Sequence, residues 1–162
     1  MTNTSFDVQE GPSMTAVALE SGYWNSLGEG VGAILLYAVI GLVLMLIGFY
    51  AIDLTTPGHL RKLVSEGKPN AIIVTAAGIV SMAFIVVLAI FSAGGKLSEG
   101  LIAAAVYGLV GIIAQVISVR VLEKVLGIDI GAALHAPAYT VEVLVVAAAH
   151  FGLGLVVAFA IL

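Results

Sequence analysis

Cysteine is absent from the 162 residues of this chain. Its absence excludes disulfides, thiol catalysis and Cys-ligated zinc, and it leaves the redox compartment unreadable from cysteine usage. Charge is scarce too: charged residues make up 10% of the chain and leave a formal net charge of −4. So thin and acidic a balance offers no basic groove or stacking platform, and nucleic acid is not an expected partner. No Walker A loop, GxGxxG, GxSxG elbow or HExxH occurs, and His59, His135 and His150 have no metal-ligand spacing. No metal site, cofactor or catalytic residue is therefore expected. A membrane hydrolase or transferase would gather acids, His or Arg at one membrane face, and these are too few here, so the chain is not expected to be an enzyme.

What is abundant is apolar sequence. Hydrophobic residues reach 61% and mean hydropathy is +1.18, whereas soluble domains are about 45–50% apolar with roughly 25% charged residues. A small soluble fold shows much of itself to water and cannot hide this composition. The chain reads as an integral membrane protein. The first thirty residues carry Asp7, Glu10, Glu20 and Glu29 without any Lys or Arg, so they lack the basic start of a secretory signal. Residues 1–30 read as an acidic, partly disordered segment, with an interfacial helix over "MTAVALESGYW".

A helix needs about 20 apolar residues to cross the hydrocarbon. Four runs qualify, at about 31–52, 71–93, 101–119 and 138–162, making a transmembrane domain of residues 31–162. None alternates with the period of two that barrel strands require. The expected fold is all-α: a four-helix integral membrane bundle. Arg61, Lys62 and Lys68 lie between the first two runs, Arg120 and Lys124 between the last two, and only Lys96 lies on the other side. Cytoplasmic loops collect Lys and Arg, which places both basic loops in the cytoplasm of a bacterial inner membrane and both termini outside it.

The loop after the first run, "DLTTPGHLRKLVSEGKPN", offers Thr56 as an N-cap with Pro57 at the first helical position. Leu60, Leu63 and Val64 would then share the apolar face of a short helix lying on the cytoplasmic leaflet. Asp53 reads as a cap of the same turn or a partner of Arg61 or Lys62, and Asn70 as the cap of the second span, with coordination of a cation or polar head group where the halves meet as its alternative.

The halves look alike. Each has a span, a charged loop, a proline (Pro69 or Pro137) and a span with a small-residue patch. Two spans per half imply two parallel repeats related by an axis along the membrane normal. Small residues four apart permit close backbone approach in lipid; Ala77 and Ser81, Ala104 and Gly108, Ala148 and Gly152, and Gly154 and Ala158 are such pairs. They suit contacts within one chain or between copies, and a homo-oligomer is expected.

These features resemble the domain of unknown function 350 family of small bacterial inner-membrane proteins, over about residues 33–162. The two-plus-two repeat carries the resemblance, with the Thr56-Pro57 pair closing the first span and Asn70-Ala71 opening the second. Where the family pattern opens its second half with another Asn, this chain has "APAYTVE", which leaves a paired-Asn site without its second member. The resemblance implies an integral inner-membrane protein with no established enzymatic activity. It implies a role linked to envelope stress or polyamine homeostasis, with a cytoplasmic or membrane-stress protein as a further partner.

The polar residues inside the spans are the remaining candidates. His150 sits mid-span, where ionisable groups face a bundle interior or a wet cavity and an imidazole can relay protons. The plainer alternative is a neutral imidazole hydrogen-bonded to Gln115. Glu142 lies eight residues earlier, about 80° away in azimuth, near a helix N-terminus whose dipole favours a carboxylate. Two functions follow: a non-enzymatic scaffold or sensor, or a small transporter or channel passing protons, cations or polyamines by Glu142 and His150. The first is preferred, because a cation pathway needs more polar lining than these spans supply.

Overall fold

The computed structural model describes residues 23–162, so the expected interfacial helix and acidic segment lie almost wholly outside the described residues. Six helices follow in order: α1 (Tyr23–Thr55), α2 (Leu60–Ser65), α3 (Pro69–Ser92), α4 (Leu97–Leu126), α5 (Ile130–His135) and α6 (Glu142–Ala160). No strand occurs among the described residues. Four of the helices, α1, α3, α4 and α6, are long and apolar enough to cross a membrane. The chain divides into two units, Met1–Leu35 and Leu36–Leu162. The described part of the first is the opening of α1, an apolar helix with Trp24, Ile34 and Leu35 exposed.

Within the second unit α3 is the central helix, packed on both α4 and α6, which also touch each other. Sequence explains the arrangement. The inward stripe of α4 is Gly100, Ala104, Gly108, Gly111, Ile112, Gln115, Val119 and Glu123, a spacing of three and four that keeps one helix face on one side. Its upper half is nearly free of side chain, so backbones approach closely. A methyl at Gly108 would meet Leu44 of α1, and one at Gly111 would overlap Ile85 of α3. Gly154 and Ala158 play the same part on α6, both buried. The other expected pair on α6, Ala148 and Gly152, is exposed and does not pack within the chain.

Helix ends follow local chemistry. Pro69 occupies the first turn of α3 after an extended Lys68, where the missing N–H costs nothing. Gly127 ends α4 in the left-handed region at φ 65°, the usual helix stop. The Asp129 side chain accepts the Ala132 N–H at 3.0 Å and caps α5. These ends shift three expectations. Helix α4 runs on to Leu126, so Arg120 and Lys124 are helical and not in a loop. The last span begins at Glu142 and not at 138, because Pro137 and the segment after it leave the helical path to meet Asn70. The short helix begins at Leu60 and not at Pro57. The Thr56 hydroxyl does not cap it: it donates back to the Ile52 carbonyl at 2.8 Å and accepts from Arg120 Nη2, and Gly58 and His59 turn the chain through positive φ before the helix starts.

The short helix also turns its apolar face into the protein and not toward lipid. Leu60 and Leu63 are 0% and 2% exposed and belong to the protein core. Their apolar face is covered by α3 and needs no lipid.

Candidate functional site

Three polar residues meet at mid-span, where α3, α4 and α6 come closest. Ser81 and Gln115 are 0% exposed and His150 is 2% exposed. Gln115 Nε2 donates to Ser81 Oγ at 2.8 Å and to the backbone carbonyl of His150 at 2.7 Å. One amide thereby joins three helices. The approach depends on glycine: a methyl at Gly154 would overlap the Ser81 hydroxyl and stand 3.1 Å from its Cα.

This corrects the expected pairing. Gln115 does not bond the imidazole; it bonds the main chain, whose carbonyl oxygen has a second lone pair available beside the helical bond. Among the described residues neither His150 Nδ1 nor Nε2 has a hydrogen-bond partner, and Gln115 Oε1 and Thr75 Oγ1 are also without one. Gly78 faces the ring, with Nδ1 3.7 Å from where its methyl would be. Ser81 was legible only as half of a small-residue pair; its hydroxyl could have been matched to Gln115 only with the helix register known.

A second constellation closes the end of the bundle below α1. Arg120 Nη2 donates to Thr56 Oγ1 at 2.8 Å and Nη1 pairs with Glu123. Thr56 is 4% exposed and Glu123 9% exposed, so α4 is fastened to the end of α1 through a largely dry polar contact. Asp53 Oδ1 accepts the Arg61 N–H at 2.8 Å. It therefore caps the first turn of α2 from the preceding helix, the role expected of it. Pro57 packs on the other side of the same turn, where a methyl at Gly131 of α5 would stand 3.4 Å from it.

Asn70 does not cap α3. Its Nδ2 donates to the Ala133 carbonyl at 2.8 Å and the Ala138 carbonyl at 3.0 Å, and its Oδ1 accepts the Thr140 N–H at 3.2 Å. Pro69 already starts the helix, and Asn70, 0% exposed, is free to hold the non-helical segment between α5 and α6. Its partner Thr140 lies in the "APAYTVE" stretch.

The remaining candidates are not drawn into either cluster. Glu142 is exposed in the first turn of α6, and eight residues of helix, about 12 Å along the axis, separate it from buried His150. It borders a shallow cleft with Asp129 and Thr140. Arg61, Lys62 and Lys124 are exposed, while Lys68 is half-buried. Among the described residues no three His, Cys, Asp or Glu side chains gather as metal ligands.

Comparison with known proteins fits this architecture. The family model described as Domain of Unknown Function (DUF350) matches residues 26–161. A UPF0719 transmembrane protein of Mycolicibacterium paratuberculosis is 41% identical over 90 residues, covering 55% of this chain and 60% of that protein. One from Mycobacterium bovis is 40% identical over 81 residues, or 49% of this chain and 53% of the relative. The chain thus spans little more than half the length of these relatives. No solved structure matches it.

Proposed function

The chain belongs to the family described as Domain of Unknown Function (DUF350), and from that membership we propose a non-enzymatic membrane scaffold or sensor that assembles as a homo-oligomer. One observation carries the reading. Ala148 and Gly152, a small pair four residues apart on α6, face outward, and among the described residues nothing beyond the helix itself lies within 4 Å of a methyl at Gly152. In lipid, where the hydrophobic effect does not drive helices together, such a pair is how one helix seats another. A second copy is the occupant of matching chemistry. The groove formed by Ala38, Gly41 and Met45 of α1 with Ala83 and Val87 of α3 supplies an apolar, small-floored surface for the same assembly.

The order long helix, six-residue helix, long helix occurs twice, which supports two parallel repeats, with Asn70 and Arg120 joining them at one end. The basic residues at that end support a cytoplasmic placement in a bacterial inner membrane, with both termini outside. A scaffold there would present α2, α5 and their loops to a cytoplasmic partner. A link to envelope stress or polyamines rests on family resemblance.

The test is the mass of the particle in lipid nanodiscs. Wild type is expected to be multimeric, and Gly152→Leu to shift it toward the monomer without loss of helicity. A monomeric wild type, or a Gly152→Leu variant of unchanged mass, overturns the reading.

A second reading, a proton or cation transporter, is favoured by the unpartnered imidazole of His150. Vesicles carrying the wild type, His150→Ala or Glu142→Gln distinguish it: flux that falls in both variants supports transport, and absent or indifferent flux removes it.

A further inference from the structure

A cleft of about 580 Å³ opens beside the end of α1, lined by Asp53, His59, Arg61, Lys62 and Ser65. Its electrostatics are one-sided. Asp53 is 7% exposed and one carboxylate oxygen is already taken by the Arg61 N–H. The Arg61 guanidinium has no salt bridge among the described residues, and Lys62 reaches Glu66 only at 4.0 Å, with both side chains well exposed. A guanidinium and an ammonium, with the His59 imidazole, therefore line one concavity with a single carboxylate, one oxygen of which is engaged, while the Ser65 hydroxyl beside them donates to the Lys62 carbonyl at 2.7 Å. Planar guanidinium beside ammonium suits a phosphate ester. His59 holds a left-handed backbone at φ 55°, uncommon for a residue with a side chain.

What adjoins the cleft selects the source of that phosphate. Tyr50 and Leu54, one turn apart on α1 immediately before the cleft, are 47% and 73% exposed. Leu54 directly follows the cleft residue Asp53 in the chain, and apolar surface next to a cationic concavity has the polarity of an amphiphile with an anionic head. We propose that this cleft binds the phosphate of an anionic glycerophospholipid, through Arg61, Lys62 and His59, with an acyl chain along Leu54 and Tyr50. A free phosphate would use the cleft alone and draw nothing from the apolar surface. A zwitterionic lipid brings a cation of its own into a site that already has a cationic surplus. The site is independent of oligomer formation, since Gly152 and Ala148 lie on α6.

The experiment titrates the full chain in mild detergent with dioleoylphosphatidylglycerol, dioleoylphosphatidylcholine or inorganic phosphate, reading bound lipid by native mass spectrometry and protection by thermal midpoint. Phosphatidylglycerol is expected to bind and to raise the midpoint, and phosphatidylcholine to do neither at the same concentration. Near a membrane surface each Lys or Arg contributes roughly fivefold in affinity. Arg61→Gln with Lys62→Gln should thus weaken phosphatidylglycerol binding about twenty-fivefold, while Lys124→Gln, a charge outside the cleft, leaves it unchanged. Leu54→Ser, at an exposed position that does not endanger folding, should weaken it several-fold. Equal binding of the two lipids overturns the proposal, as does equal loss with Lys124→Gln. Protection by inorganic phosphate that depends on Arg61 but not on Leu54 would replace the lipid with a small oxyanion.

Discussion

Gln115 of α4 donates to the backbone carbonyl of His150 on α6 at 2.7 Å, and the imidazole takes no part in that bond. The two halves of His150 are therefore separable: its main chain belongs to the packing of the bundle, and its ring does not. Because the second donor of the same amide goes to Ser81, the clasp can be cut at either end while the His150 ring stays untouched. Interhelical hydrogen bonds in membranes average about 0.6 kcal/mol and reach about 1.7. Gln115→Leu should lower unfolding stability within that range, and a cycle with Ser81→Ala should show coupling of about 0.6 kcal/mol, measured by thermal or denaturant unfolding in micelles. Additive losses would mean that the hydroxyl contributes nothing to the clasp.

The ring itself gives a contrasting expectation. An imidazole buried without a partner retains the cost of desolvating its nitrogens and recovers none of it. His150→Leu keeps the backbone acceptor for Gln115 and fills a similar volume. Its thermal midpoint should equal or exceed that of the wild type, so that any functional loss in the variant is a loss of chemistry and not of fold. A clear drop in midpoint would show that the ring is bonded in the membrane.

Asn70 satisfies three main-chain groups of the segment between α5 and α6. Asn70→Ala strands two carbonyls and an N–H that the fold partly buries, at about 1–3 kcal/mol. The loss should be local. Hydrogen exchange of peptides spanning residues 133–142 should accelerate well beyond that of α3, whose own helical bonds the substitution leaves intact. Uniform acceleration would assign Asn70 to the global core.

The pair Arg120–Glu123 tests the fastening of α4 to α1. Removing one member of a buried pair costs about 3–5 kcal/mol because a charge is left stranded. Arg120 keeps 28% side-chain exposure and Glu123 10%, and solvent screening reduces the figure to roughly 1–3 kcal/mol for Arg120→Leu. Adding Glu123→Leu should recover much of it by removing the stranded carboxylate, as read from midpoints of the single and double variants. A double variant as unstable as Arg120→Leu would place the cost in the lost bond to Thr56.

Much of this was legible in advance, and the failures share a cause. Four spans follow from apolar run length alone, and the Ala104–Gly108 pair of α4 announced close packing. What periodicity could not supply was register between helices. Gln115 stood out in an apolar run, but whether it met the ring, the carbonyl or Ser81 depends on how α4 is rotated against α6. The capping errors arose likewise. Thr56 and Asn70 are good caps by residue type, yet each side chain meets a partner brought close by the fold: Thr56 the Arg120 guanidinium, and Asn70 carbonyls more than sixty positions along. The Leu60–Leu63 face was correctly read as apolar. Sequence could not say that α3, and not lipid, would cover it.

Two glycines of α6, only two residues apart, should respond oppositely to the same added methyl. Gly154 lies against Ser81, where the methyl would overlap the hydroxyl and press on the backbone of α3. A tightly packed contact of this kind costs about 1–3 kcal/mol when overfilled, and separating α3 from α6 would also lengthen the bonds of Gln115. Gly152 faces open space, and there the methyl brings only the better helix propensity of Ala, up to about 1 kcal/mol relative to Gly. Gly154→Ala should therefore lower the thermal midpoint, and Gly152→Ala should leave it level or raise it, for the chain in monomeric detergent form. In nanodiscs, if a second copy seats on Ala148 and Gly152, Gly152→Ala should weaken assembly while the fold of each copy stays as firm as before. A matching loss of midpoint at both glycines in detergent would contradict the assignment of the two faces.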